Sequence, residues 1–220
     1  IRRGFLQGVD FTEHKNIIDA IVVLPSNLFY GTTIPGAIIF FDKNKPEERK
    51  DKVMMIYAAK EGWYREEANM NVLEPHDILR ISTILESWGD TAKAQEWITQ
   101  QKQRLRNDIQ EELDFELSEI ENNYYEDIRR ASERLSNAKK TVEEKLSNNK
   151  KPTAGELKNI DTAQKALDKL QNDKQVKIAA ANEKADKKRN AIDEVEVELM
   201  NMFADADLRK RYFSIVDMDE

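Results

Sequence analysis

At residues 147–155 the chain reads SNNKKPTAG, and this segment interrupts the most regular pattern in the sequence. On both sides of it, apolar residues recur every three or four positions, which is the spacing that aligns them along one face of an α-helix. Asn, Pro and Gly within a short polar segment indicate a tight turn. The sequence therefore predicts two helical arms joined by a turn at 147–155.

The two arms are similar in length, and each is predicted to span roughly 50 residues, or ~75 Å at the rise of an α-helix. A narrow apolar stripe on a highly charged helix is not stable alone, so the arms need a partner. We expect them to fold back as an antiparallel hairpin of the coiled-coil type, with Leu135 close to Leu167 or Leu170.

The sequence changes character near Gly89, which predicts two domains, 1–90 and 91–220. The first has β-branched apolar runs bounded by turn residues, which are typical of buried strands. We predict buried strands at Ile18–Leu24 and Ala37–Asp42, and a third strand at Val53–Ala58. A helix is expected from Pro75 to about Trp88, with Ile78, Ile81, Ile84 and Leu85 on one face. Ile1–Gln7 is expected to be the end of another helix.

Composition excludes several classes of chemistry. The 220 residues include no Cys, which excludes disulfides and thiol catalysis, and only two His, which disfavours a histidine-built metal or triad site. The Gly residues form no phosphate-binding loop, and no Ser, His and carboxylate set indicates a nucleophile. The net charge of −7 argues against a broad electrostatic grip on nucleic acid. We therefore predict no catalytic residue and no metal site in this chain.

The apolar runs are also too short for a membrane helix, which needs ~20 apolar residues. The chain begins at Ile1 and no signal-peptide pattern follows. We expect a fragment of a cytoplasmic protein with no membrane partner.

Two segments resemble a known family. Residues 17–45 read IIDAIVVLPSNLFYGTTIPGAIIFFDKNK, and residues 58–76 read AAKEGWYREEANMNVLEPH. The first is similar to the stretch of type I restriction–modification modification subunits in which a strand ends in Leu-Pro, followed by Phe-Tyr-Gly-Thr, Ile-Pro and a strand ending in Asn-Lys or Asp-Lys. The second resembles the family's Asn-x-Asn-x-Leu before a helix.

The resemblance implies a doubly wound methyltransferase sheet that binds S-adenosylmethionine and methylates the exocyclic amine of an adenine flipped out of DNA. The family's Gly-containing cofactor loop and its Asn-Pro-Pro-aromatic catalytic motif do not occur here, and both normally lie upstream. We therefore expect a C-terminal fragment that is inactive alone and binds no cofactor. It would be an α+β fragment, mainly α, with the last strands of the sheet followed by the hairpin.

Some residues remain candidates for contact with the target base or DNA. Phe29 and Tyr30 would stack on the flipped base or line its pocket, although Phe29 could instead pack in the core. Thr32 would contact a phosphate or stabilise a turn. Asn69 and Asn71 would contact the DNA backbone or cap the following segment. Arg2 and Arg3 are further candidates at the N-terminal end.

The family works with a specificity subunit and a restriction subunit, and it contacts DNA through the full complex. The hairpin is therefore expected to dock onto the specificity subunit. Aromatic residues near its base would anchor that interface or pack against the methyltransferase end. These residues are Trp97, Phe203, Tyr212 and Phe213.

Two other interpretations stay open at the level of sequence. One is a structural coiled-coil interaction protein with a small α/β head, which would leave the Leu-Pro and Phe-Tyr-Gly-Thr signals unexplained. The other is a single-chain N6-adenine methyltransferase of another restriction type.

Overall fold

The computed structural model describes residues 17–217, so the expectations for Ile1–Gln7, Arg2 and Arg3 lie outside the described residues. The strands are β1 (Ile18–Val23), β2 (Ala37–Phe41), β3 (Lys52–Tyr57), β4 (Arg65–Glu66), β5 (Asn71–Val72) and β6 (Phe213–Asp217). The helices are α1 (Pro75–Ser87), α2 (Thr91–Ser147), α3 (Ala154–Ala204) and α4 (Ala206–Arg209). The expectation of a mainly helical chain with a small sheet is confirmed.

Four strands form a mixed sheet in the order β2-β1-β3-β6. β1 and β3 are parallel, whereas β2 and β6 each run antiparallel to their neighbour. The three predicted strands are confirmed to within a residue or two. β6 was not predicted, and it brings the last described residues of the chain back to the sheet beside β3. β4 and β5 form a separate two-stranded ribbon.

One face of the sheet is buried. Val22 on β1 aligns with Ile56 on β3, which aligns with Phe213 on β6, and all three side chains are buried. The helix α1 lies against β3. Successive side chains of a strand point to opposite faces, so these residues define the side on which this part of the protein builds its core.

The prediction that Ala37–Asp42 is a buried strand was wrong. β2 is an edge strand, and Ile38, Ile39 and Phe41 are each 45–53% exposed. A continuous apolar run cannot by itself distinguish a buried central strand from an exposed edge strand.

The bounds predicted for α1 are confirmed, but its buried face is not the predicted one. Ile84 is buried whereas Ile78 is exposed, and the buried set includes the charged residues Asp77 and Arg80. Trp88 and Gly89 both adopt positive φ, which ends the helix where expected. The apolar pattern misplaced the face because an ion-paired network turns Asp77 and Arg80 inward.

The contacts divide the chain into two compact units. One comprises the residues up to Arg106 together with those from Asn190 onward, and the other is Asn107–Arg189. The first turns of α2 therefore group with the sheet although the helix begins at Thr91. The domain boundary expected after residue 90 stays a prediction for the whole protein.

In the unit Asn107–Arg189, the two helical segments run antiparallel. Ion pairs join Glu112 to Lys188, Glu121 to Lys174 and Lys145 to Glu156, so the partner number falls as the residue number rises. Further contacts form an apolar cluster of Ala131, Leu135 and Leu167, with Leu170 packed against it. The predicted turn and the predicted contact of Leu135 are confirmed. None of the helices within residues 17–217 is both long and apolar enough to span a membrane.

Candidate functional site

The Phe-Tyr-Gly-Thr motif lies in a closed loop between β1 and β2. The backbone N–H of Leu24 donates to the carbonyl oxygen of Gly36 at 2.9 Å, which joins the two ends of the loop. Gly31 has φ of +78°, a region that side chains other than Gly rarely adopt. The hydrogen bond and the positive φ of Gly31 therefore define the backbone conformation of the loop.

The two aromatic residues of the motif differ in environment. A Cβ atom at Gly36 would lie 2.8 Å from Cε2 of Phe29, so the ring of Phe29 lies directly over the Gly36 backbone although half of the side chain is exposed. Tyr30 is 99% exposed. Tyr30 is thus free to stack on a partner, whereas Phe29 also supports the loop.

Thr32 stabilises the same loop. Its hydroxyl accepts a hydrogen bond from the backbone N–H of Ile34 at 3.1 Å, and its own N–H donates to the carbonyl oxygen of Phe29 at 3.3 Å. These bonds are those of a turn in which a threonine side chain replaces a backbone acceptor. These hydrogen bonds explain the presence of a threonine at position 32 without any contact to DNA.

Of the two candidate asparagines, Asn71 is buried and Asn69 is exposed. The side-chain amide of Asn71 donates to the carbonyl oxygen of Ser26 at 2.8 Å, and its backbone N–H donates to that of Asn27 at 2.8 Å. Asn71 therefore fastens β5 to the loop that carries Phe29 and Tyr30. The Phe-Tyr-Gly-Thr and Asn-x-Asn-x-Leu segments both carry the family resemblance, and the fold places them in contact.

The aromatic residues proposed as docking anchors are mainly part of the core. Phe203 and Phe213 are buried, and their ring centroids are 6.2 Å apart. Trp97 is half-buried and donates from its indole N–H to the Ser82 hydroxyl at 3.2 Å. Packing within the chain, the alternative considered from sequence, thus accounts for Phe203 and Phe213.

Tyr212, the fourth of these aromatics, is half-buried and stacks on the ring of Trp63, with centroids 5.3 Å apart. The ammonium group of Lys60 lies 3.7 Å from the Tyr212 centroid, an arrangement in which the ring face attracts the cation. Together these contacts fix the segment before β6.

A buried polar network was missed from sequence. Arg80 donates to Asp77 at 2.6 Å and to Glu198 at 2.9 Å, and the indole N–H of Trp63 donates to Glu198 at 3.3 Å. Removing one member of a buried pair leaves an uncompensated charge, so such networks hold elements in place. The spacing of Asp77 and Arg80 on one helix face was the only available sequence signal.

Lys45, the last residue of the Asp-Lys-Asn-Lys segment, is buried as well. Its ammonium group donates to the carbonyl oxygens of Ile18 and Lys52, at the starts of β1 and β3. Burial lowers the pKa of Lys45 below its ordinary value, partly opposed by the nearby carboxylate of Asp19. Lys45 thus closes one end of the sheet, and the opposite end carries the Phe-Tyr-Gly-Thr loop.

This arrangement is a candidate recognition surface. An exposed aromatic ring on a shaped loop can stack on a planar base, since every base has a π-face. Within residues 17–217 no group of His, Asp or Glu side chains is arranged to hold a metal ion.

Comparison with known families gives one match that covers more than half of the chain. The model of the family described as N-6 DNA Methylase matches residues 10–133. That range contains β1 to β5, α1, and part of α2.

Among curated proteins, the chain is 42% identical over 77 residues to the methylase subunit of the type I restriction enzyme MjaVII from Methanocaldococcus jannaschii. It is 38% identical over 76 residues to the MjaVIII methylase subunit of the same organism. Each alignment covers 34% of this chain and 13% of the relative. A methylase subunit of the type I enzyme MpnII from Mycoplasma pneumoniae is 33% identical over 93 residues, which are 42% of this chain and 16% of that protein.

Among solved structures, a type I restriction-modification system methyltransferase subunit from Streptococcus thermophilus is 31% identical to this chain. The match covers 32% of this chain and 14% of that chain, with a TM-score of 0.29. That score is too low to relate the two folds. The aligned segments thus span between an eighth and a sixth of each relative.

Proposed function

The chain belongs to the N-6 DNA methylase family, and from this premise we propose that it is part of the modification subunit of a type I restriction–modification enzyme. The whole subunit would transfer the methyl group of S-adenosylmethionine to N6 of an adenine in DNA. The observation that carries the proposal is the exposed Tyr30 on the Leu-Pro and Phe-Tyr-Gly-Thr loop, in the segment that resembles these subunits.

In this proposal, the loop contributes to the pocket for the flipped adenine. A base that leaves the duplex loses its stacking, and an aromatic ring in the pocket replaces it. Tyr30 is the exposed ring, Phe29 supports it over Gly36, and Asn71 fixes the loop from behind. The catalytic and cofactor-binding groups would be supplied by other parts of the subunit, so the 220 residues alone would be inactive.

We further propose that the sheet is the last part of a larger doubly wound sheet. Its second face has a row of apolar side chains, Ile39, Ile21 and Met55, aligned across three strands and none of them buried. An apolar sheet face is normally buried against another layer of secondary structure. The edge strand β2 is apolar and exposed, and such an edge is a template for another strand.

For the unit Asn107–Arg189, we propose a coiled-coil role in assembly, by docking onto the specificity subunit in a cytoplasmic complex that also contains the restriction subunit. DNA would be bound by that complex and not along this unit. Residues 107–128 contain nine acidic residues and no Lys or Arg. Tight DNA binding depends on basic residues that replace counterions on the phosphates, whereas residues 107–189 are nearly neutral, with 18 acidic and 17 basic residues. Several of these lysines, such as Lys174 and Lys188, are already paired with carboxylates of the other helix.

The assembly role is tested in the full-length subunit by replacing Asn107–Arg189 with a short Gly-Ser turn between Arg106 and Asn190. These two positions bound the unit that contains the sheet, so its core stays intact. We expect co-purification with the specificity subunit to be lost. The matched control is Leu135→Met, which retains the hairpin core and should retain assembly. Undiminished co-purification after the replacement would refute the docking role.

A further inference from the structure

α2 carries a second regular stripe next to the face that packs against α3, and Lys174 of α3 lines the same depression as Tyr125 and Arg129. Twelve exposed residues between positions 108 and 146 alternate in steps of three and four, the spacing of a coiled-coil seam. They are Asp108, Glu111, Phe115, Ser118, Asn122, Tyr125, Arg129, Ser132, Ser136, Lys139, Glu143 and Leu146. We refer to this set as the outer stripe.

The outer stripe has the composition of a contact surface. Phe115, Tyr125 and Leu146 are 65%, 60% and 56% exposed, although large apolar side chains are usually covered. Most positions between them are small or short, so a second helix could approach closely. Near the middle, Tyr125, Arg129 and Ser132 line part of an open depression of about 310 Å³.

Charge is distributed unevenly along this stripe. Asp108 and Glu111, both exposed, lie at the N-terminal end of the stripe. At the other end, Lys139 and Glu143 lie on the stripe, and Lys150 and Lys151 follow in the exposed turn. The surface is therefore acidic at one end and has a net positive charge at the other.

We propose that the outer stripe of α2 packs antiparallel against the same stripe of a second copy of this chain. Two-fold symmetry brings the acidic end of each copy to the basic end of the other, so both ends gain opposite charges. A parallel arrangement would place like charges together. This proposal rests on the unit Asn107–Arg189 alone and does not depend on the function proposed above.

The register follows from the apolar residues. When Phe115 faces Leu146 of the second copy, Glu111 lies beside Lys150 of that copy and Arg129 lies beside Ser132. The two-fold axis then passes close to the depression in the middle of the stripe. Within one molecule, Glu111 and the end of α2 at Ser147 are roughly 55 Å apart along the helix, and Lys150 lies in the turn beyond that end. Glu111 and Lys150 can therefore pair only between molecules.

The first test is sedimentation equilibrium of the full 220-residue chain. We expect a dimer that weakens with added salt, because exposed charge pairs are screened. Glu111→Lys and Lys150→Glu should each weaken the dimer, by about tenfold, since each pair occurs twice. The double variant Glu111→Lys/Lys150→Glu should restore it. A monomeric chain, or a dimer indifferent to these changes, would overturn the proposal.

The second test uses the absence of Cys from the sequence. Glu111→Cys and Lys150→Cys variants are purified separately, mixed and oxidised. We expect a disulfide-linked heterodimer of the two variants, and much less of either linked homodimer. Both positions are exposed, and circular dichroism checks that the helices are retained. Heterodimer formation no greater than that of a Glu111→Cys and Glu143→Cys mixture would contradict the register.

Discussion

Two asparagines only two positions apart differ in role because of burial. Asn71 is buried and donates to the carbonyl oxygen of Ser26, whereas Asn69 is exposed. In the sequence, both stood as equal candidates for contact with DNA. Sequence alone could not separate them, because the distinction depends on a loop 45 positions earlier in the chain.

Asn71→Ala should lower the free energy of unfolding by about 1–2 kcal/mol, because it removes one hydrogen bond and leaves a carbonyl oxygen without its donor. Urea unfolding followed by circular dichroism measures the change. Asn69→Ala is the matched control and should change the stability by less than about 0.5 kcal/mol. Equal effects of the two substitutions would show that the bond to Ser26 contributes nothing.

Tyr30 is the residue that the proposed function needs most. In the complete subunit with its specificity subunit, Tyr30→Ala should lower methylation of DNA by roughly tenfold to a hundredfold, because loss of base stacking is worth ~1–3 kcal/mol. The unfolding free energy should not change, since the side chain is 99% exposed. Incorporation of labelled methyl groups into DNA measures the first quantity.

Ile34→Ala serves as the control for Tyr30, because Ile34 is 70% exposed and lies in the same loop. It should leave methylation unchanged. If both variants methylate as the unchanged protein does, the loop does not contact the target base.

Among the elements, the long helices and the turn between them could be predicted because apolar residues recur every three or four positions along nearly the whole of both arms. The three strands were predicted instead from short apolar runs bounded by turn residues. The sequence pattern could not identify β6, because Phe213–Asp217 is short and acquires its strand partner only through contact with β3. Nor could it show that β2 lies at an edge, since strand order is set by tertiary contacts.

The start of α3 depends on a reciprocal cap. The backbone N–H of Thr153 donates to the Glu156 carboxylate at 2.8 Å, and the N–H of Glu156 donates to the Thr153 hydroxyl at 3.3 Å. A hydrogen bond from Lys145, followed by those from Thr153, lowers the pKa of Glu156 from 4.5 to about 2. This cap thus holds the turn between the long helices.

A carboxyl group whose pKa is lower in the folded than in the unfolded state stabilises the fold at pH values above its ordinary pKa. This contribution is lost as the pH falls toward the folded-state pKa. The contribution of Glu156 should therefore be lost between about pH 4.5 and about pH 2. Carboxyl NMR of the folded chain should show Glu156 titrating below the ordinary range, and Thr153→Ala should raise its pKa. An ordinary pKa for Glu156 would mean that the cap does not form in solution.

For the whole molecule, the resemblance seen in residues 17–45 and 58–76 was confirmed by the family match, and the two segments are joined in space through Asn71. The buried network around Arg80 could not be predicted, because its partner Glu198 lies 118 residues away. The apolar second face of the sheet and the exposed β2 edge are the features from which we propose a larger sheet.

We propose that these residues are part of an adenine methyltransferase and depend on the rest of it for activity. The most direct measurement is transfer of labelled methyl groups from S-adenosylmethionine to DNA, followed by nucleoside analysis. It compares the complete subunit plus its specificity subunit with the 220-residue chain alone. We predict N6-methyladenine from the complete assembly and none from the chain. Methylation by the chain alone, or an assembly that forms no N6-methyladenine, would contradict the claim.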